Sequence, residues 1–205
     1  MRLTSPSMCW RALDGGFSAR AARASRRMAC SPGRCEMRFT DYLSEDCISP
    51  DLRVQDKAGV LHELAGLLAA RTKAPRQMLE EQLAARERIS STAIGEGVAI
   101  PHCRFDRLRQ ITACVAVDPQ GVDFGARDGR PVRLFVTLAS PTHAPGTHLS
   151  VLARIAALLR DARLRQALVE AGSPAAIRAL LVQAEDAYLA SQAPRHDVSQ
   201  HASGP

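Results

Sequence analysis

The run "VRLFVTLAS" at 132–140 constrains the fold more than any other stretch of the chain. Its apolar residues do not alternate with polar ones, so a strand built from it carries apolar side chains on both faces. Such a strand is stable only inside a sheet covered by helices on either side. The flanking sequence supplies the helices. "DKAGVLHELAGLLAARTK" (56–73) sets Val60, Leu61, Leu64, Leu67 and Leu68 on one helical face, with Asp56 as N-cap. "PRQMLEEQLAARERIS" follows with Pro75 near its start, where a missing N–H costs little. Three more helical stretches, "LSVLARIAALLRD", "ARLRQALVEAG" and "SPAAIRALLVQAEDAYLA", close the chain. The first places Leu149, Leu152, Ile155, Ala156 and Leu159 in one stripe, and Ser173-Pro174 opens the last as N-cap and first helical residue.

Between these blocks the periodicity changes. "RFTDYL" predicts a short helix, and "CISPDLRV" an edge strand with Pro50 near its start. "STAIGEG" has turn chemistry, "VAIPH" and "ITACVAV" are strands, and "DPQGVDFGARDGRP" carries turn signals. The expected fold class is α/β, a small mixed β-sheet sandwiched by helices.

Charge looks at first like a nucleic-acid signal, because the chain is formally +6. Residues 1–36 hold +5 of it, with seven arginines against Asp14 and Glu36, which leaves +1 for residues 37–205. Composition therefore offers no basic face for a phosphate backbone. The leader at 1–36 is rich in Arg, Ser and Ala, as targeting segments are. A disordered arm or an over-extended start reads the same way, because Met37 opens regular periodicity. One domain is expected over 37–189, followed by a polar tail at 190–205. No apolar run reaches the ~20 residues of a membrane span, so no stable membrane insertion is expected. The six cysteines (9, 30, 35, 47, 103, 114) form no CxxC pair, which points to a reducing, cytoplasmic setting rather than a disulfide framework.

Two of the six histidines stand at junctions. His102 ends "VAIPH", and His148 opens a helix after a Pro-Gly loop. Gly95 and Gly97 can take positive φ or expose their amides, and such loops cradle anions. Ser90, Ser91 and Thr92 offer hydroxyls nearby, and Arg86 and Arg88 offer guanidinium groups. An imidazole so placed could carry a phosphoryl group. An ordinary helix-to-strand turn reads equally well from spacing alone.

"RERISSTAIGEGVAIPH" resembles the phosphorylation-site signature of the type 2 IIA components of the bacterial phosphotransferase system. The resemblance runs from about Thr40 to about Gln183. The stretches "GVDFGARDGRPVRLFVTLASP" and "THLSVLARIAALLRD" are most like the nitrogen-regulatory subgroup. It implies that His102 accepts a phosphoryl group, with Arg86 and His148 as the other active-site residues. Ser91, Thr92, Gly95 and Gly97 then become candidate phosphate ligands. The implied donor is an HPr-type phosphohistidine carrier. The onward partner is a regulatory target protein or, if the chain is a sugar-uptake relay, a IIB domain. No nucleic acid, metal or cofactor is implied. Two positions depart from the family pattern. Cys103 stands where glycine follows the histidine, and Ala93 replaces the first glycine of "STGIG". A metal site of His102, Cys103 and His148 is disfavoured, because adjacent strand residues point to opposite faces.

Overall fold

The computed structural model describes residues 37–192. The expected leader, and residues 193–205 of the expected tail, lie outside the described residues. Phe39–Tyr42 forms a single 3-10 turn that leads directly into β1, Leu43–Ser49. The strand therefore starts earlier than "CISPDLRV" suggests, and it stops before Pro50, which has no N–H to donate.

Helices α1 (Lys57–Thr72) and α2 (Arg76–Ile89) precede the remaining strands. These are β2 (Ala93–Gly95), β3 (Val98–Ala99), β4 (His102–Arg104), β5 (Thr112–Val122) and β6 (Val132–Ser140). Helices α3 (Pro145–Leu158), α4 (Ala162–Glu170) and α5 (Pro174–Gln192) complete the order. The caps behave as the sequence predicts. The Asp56 carboxylate accepts from Gly59 N at 2.7 Å, and the Ser173 hydroxyl accepts from Ala176 N at 3.3 Å.

The sheet runs β1-β5-β6-β3-β2, with β4 also paired to β6. β1 lies parallel to β5, β5 antiparallel to β6, and β3 and β4 parallel to β6. It is therefore a mixed sheet, and β1 is the expected edge strand. β6 is the apolar run on which the fold expectation rests, and its inner residues Leu134–Ser140 are all buried. Helix α1 packs on β1 and β5, α4 on β5 and β6, and α5 on β1. Consecutive burial from Thr112 to Asp118 in β5 requires cover on both faces of the sheet.

Two local expectations need correction. β5 continues through "DPQGV", where turn signals dominate. The buried Asp118 carboxylate accepts from Gln120 N (2.9 Å) and Gly121 N (3.0 Å), and the β5–β6 register shifts between Val117 and Val122. A bulge thus absorbs residues that would otherwise end the strand. In α3 the buried face is His148, Val151, Ile155 and Leu158, whereas Leu149 is 65% exposed. The helix begins at Pro145 and is rotated relative to the Leu149 stripe.

A buried carboxylate joins the first described residues to α5. Glu185, fully buried, accepts from Phe39 N (2.8 Å), Thr40 N (3.0 Å) and Thr40 Oγ1 (2.6 Å). Arg154 of α3 pairs at 3.5 Å with the same oxygen that accepts from Phe39 N. Removing the acceptor leaves two amides and a guanidinium without their partner in a dry setting. Glu185→Ala is therefore expected to lower the unfolding free energy by about 3 kcal/mol, measured by urea denaturation. A loss below about 1 kcal/mol would show that the buried carboxylate does not hold these elements together.

Candidate functional site

The strand that carries His102 is broken. β3 pairs with Leu134 and Phe135, β4 pairs with Leu138, Ala139 and Ser140, and Pro101 stands between them. Proline cannot donate to the ladder, and Ile100 N turns away to Thr92 O at 3.0 Å. The break leaves the Ile100 carbonyl in reach of the His102 ring, whose Nδ1 sits 2.8 Å from that oxygen. A carbonyl only accepts, so Nδ1 carries the hydrogen. On the other side of the ring, Arg86 Nε donates to His102 Nε2 at 3.0 Å. A guanidinium only donates, so Nε2 presents its lone pair. The two partners agree on one neutral tautomer.

Burial is the main cause that pushes the His102 pKa below the ordinary imidazole value, and the Arg86 charge adds to it. The Ile100 carbonyl and Glu87 oppose the shift. The imidazole is therefore neutral at neutral pH.

Arg86 is held in turn. Its Nη1 donates to Ser90 O at 2.9 Å, the carbonyl just beyond the end of α2. The next residue, Glu87, is buried and accepts from Thr92 N (2.9 Å) and Thr92 Oγ1 (2.6 Å) on one oxygen. Lys57 Nζ approaches the other oxygen at 3.1 Å. Arg86, Glu87, Thr92, Ile100 and His102 thus form a closed circuit of bonds that returns to its start through the Arg86–Glu87 peptide.

His148 lies in the first turn of α3, 94% buried, with its ring centroid 5.5 Å from that of His102 and tilted by 53°. Its Nδ1 is 2.8 Å from Ser140 Oγ, at the end of β6. Burial first, and then His102 (as it takes on charge in acid), Arg104 and Arg86, push its pKa down to about 4. His148 is therefore neutral as well.

Gln82, Arg86, Ile89, His102, Arg104 and His148 are among the residues lining an open cleft of about 610 Å³. Two exposed apolar side chains, Ile89 and Leu149, stand at its lining.

The structure brings Arg86, His102 and His148 together. Ser91, Thr92, Gly95 and Gly97 do not line this cleft. The Thr92 hydroxyl is committed to Glu87, and Ser91 Oγ donates to Phe124 O at 3.3 Å. Gly95-Glu96-Gly97 is the tip of the β2–β3 hairpin, with all three residues at positive φ. The Glu96 amide there donates to Asp128 Oδ2 at 2.7 Å, so a carboxylate of this chain fills the position expected for an anion. Arg88 is exposed and does not line the cleft. Cys103 is 4% exposed, and burial pushes its thiol up to about 12, which makes it an inert core residue. Sequence reasoning missed Ser140 and the Ile100 carbonyl. Only a serine closing an apolar strand and a proline interrupting one hinted at them.

The family model for the phosphoenolpyruvate-dependent sugar phosphotransferase system, EIIA 2, matches residues 41–184. The chain belongs to this family. It is 38% identical over 145 residues to a nitrogen regulatory protein of Bradyrhizobium diazoefficiens, covering 71% of this chain and 95% of that one. A fructose-specific EIIABC component of Bacillus subtilis is 34% identical over 142 residues, 69% of this chain but only 22% of the relative. Among solved structures, nitrogen regulatory protein IIA-Ntr from Neisseria meningitidis superposes with a TM-score of 0.67 at 34% identity. The match covers 70% of this chain and 98% of that one. Both the fold and the family expected from "RERISSTAIGEGVAIPH" are thereby established. Family membership implies phosphotransfer partners. No helix among the described residues is long and apolar enough to cross a membrane.

The depressed histidine pKa values link stability to pH. An unfolded imidazole binds a proton near pH ~6.5, whereas folded His148 resists it down to about 4. Stability is then full above ~6.5 and falls with acidification towards about 4, by at most about 3 kcal/mol from this residue. Urea unfolding across that window is expected to show a shallower acid loss for His148→Gln than for the wild type. Parallel curves would refute the linkage.

Proposed function

We propose that this chain is a phosphocarrier that accepts a phosphoryl group on His102 Nε2 from an HPr-type phosphohistidine carrier. On this reading it acts in the cytoplasm as a regulatory protein whose phosphorylation state governs partner binding. The observation that carries the reading is the lone pair of Nε2, aimed at Arg86 Nε across 3.0 Å while Nδ1 is held by a carbonyl.

The chemistry follows from that geometry. The Nε2 lone pair attacks the phosphorus of the donor, and the new N–P bond forms as the donor N–P bond breaks. The electron pair of the broken bond returns to the donor imidazole. No proton has to move, because Nε2 starts without one. Phosphoryl transfer of this kind needs alignment and stabilisation of charge on the equatorial oxygens rather than covalent help.

Arg86 supplies both. Its guanidinium leaves Nε2 as the phosphoryl group arrives and takes up the oxygens, while Nη1 on Ser90 O keeps the side chain from drifting. His148 is the second ligand. Its Nδ1 is engaged by Ser140, which leaves Nε2 as the ring nitrogen free to donate to a phosphoryl oxygen. Arrival of a dianion beside it favours a proton on a ring that burial had kept neutral.

The regulatory role draws on the relatives. The chain spans 95% of a nitrogen regulatory protein, but only 22% of a multidomain fructose component. The identity to that fructose component supports a second reading, in which the same His102 passes its phosphoryl group to a separate IIB partner. Transfer of label from the phosphorylated protein to an isolated IIB domain distinguishes the two.

Incubation with radiolabelled phospho-carrier is expected to place one acid-labile, base-stable phosphoryl group on the wild type and none on His102→Ala. Uptake by His102→Ala equal to the wild type would overturn the assignment. Arg86→Lys keeps the charge but loses the fork, and is expected to slow transfer by about 100-fold. His148→Ala is expected to slow it by about tenfold. Unchanged rates would remove either residue from the site.

A further inference from the structure

The near-neutral charge of residues 37–205 conceals a local concentration. Arg71, Lys73, Arg107 and Arg109 line one concavity of about 530 Å³, together with Thr72, Leu108, Gln110 and Thr112. No acidic residue lines it. All four cations are exposed, and among the described residues none of their side chains makes a hydrogen bond or ion pair. Several other surface arginines are matched. Arg53 pairs with Asp51, Arg76 with Glu63, and Arg130 with Glu96. Arg71 has Asp46 within electrostatic reach, but no carboxylate enters the hollow itself, and four cations around it repel each other, which is unfavourable unless an anion completes the set.

The backbone fixes where these charges stand. Leu108 is 3% exposed and its amide donates to Phe105 O at 3.2 Å, so a buried side chain pins the turn between two outward arginines. Lys73 caps α1 with φ 59, a left-handed conformation usually reserved for glycine or asparagine. Its side chain joins Arg71 from the last turn of the same helix. The side-chain amide of Gln110 adds a neutral donor, whereas the Thr72 hydroxyl is committed to Leu68 O at 2.8 Å. In the adjoining depression, Arg71, Gln110 and Thr112 recur beside Asp41 and Glu45, so the purely cationic seat is the Lys73–Arg109 side.

We propose that this hollow binds a small, multiply charged anion of the polyphosphate class. Its volume suits a small molecule, and four cations around a concave surface exceed what one monoanion can neutralise. The site lies apart from the His102 cleft, with no lining residue in common. It is joined to that cleft by the chain itself, since β4 runs from His102 into the Phe105–Gln110 turn.

Calorimetric titration with inorganic tripolyphosphate, ATP and AMP tests the site and separates its two sources of phosphate. Tripolyphosphate and ATP are expected to bind the full chain, with AMP weaker by about tenfold or more because it carries fewer charges. ATP tighter than tripolyphosphate would assign the site to a nucleotide, and equal affinity to the phosphates alone. The double variant Arg107→Glu/Arg109→Glu, with both side chains exposed and free of bonds, is expected to weaken binding by at least about tenfold. A control reversal at exposed Arg127, outside the hollow, is expected to leave it within about twofold. Absence of binding to the wild type, undiminished binding to the double variant, or an equal loss in the control would each overturn the proposal. His102→Ala is expected to bind the anion as the wild type does, so the outcome is independent of the phosphocarrier reading.

Discussion

The buried carboxylate of Glu87 is the interaction on which the rest of the site depends. It gathers the amide and hydroxyl of Thr92 on one oxygen and Lys57 on the other. The end of α2 is thereby tied to the segment that enters the sheet and to the helix packed alongside. Because the neighbouring residue in α2 is Arg86, this tie sets the distance between a guanidinium and an imidazole sixteen residues further on. A looser joint would let the arginine swing into the open cleft. Charge-assisted bonds made out of contact with water are strong enough to prevent it.

A second joint of the same design lies at the opposite end of the chain. Glu185 takes the amide and hydroxyl of Thr40 with nearly identical distances, 3.0 and 2.6 Å. Both joints use a helical glutamate to fasten an irregular segment before a strand. An irregular segment cannot satisfy its own amides, and a buried carboxylate can accept several at once. One joint serves stability alone, and the other stability and geometry together.

The layered fold was legible because burial imposes periodicity. The apolar run at β6 and the stripe on α1 could be satisfied in few other ways. Boundaries were less legible where a side chain substitutes for a ladder bond. Asp118 does so inside β5, where a bulge carries the strand through residues that read as a turn. That Arg86, His102 and His148 would meet was legible through the family signature, not through spacing. Thr92 and the two glycines stand away from the cleft, against carboxylates of this chain. A hydroxyl and a set of amides near a phosphoryl site look the same in sequence whether they face a ligand or a carboxylate of the same chain. Glu87 and Asp128 occupy the positions that a phosphate was expected to fill.

On the proposed reading, in which His102 carries the phosphoryl group, the interruption at Pro101 has a consequence for how tightly that group is held. A strand without that break would have its carbonyls committed to neighbouring strands, and His102 would be free to exchange its ring proton with water. Here the Ile100 oxygen keeps hydrogen on Nδ1 throughout. An imidazole that retains this hydrogen becomes a cation when its other nitrogen bonds to phosphorus, and a cationic ring departs more readily than a neutral one. A missing amide hydrogen in the backbone would therefore favour a bond that is made to be broken, as the proposed carrier role requires.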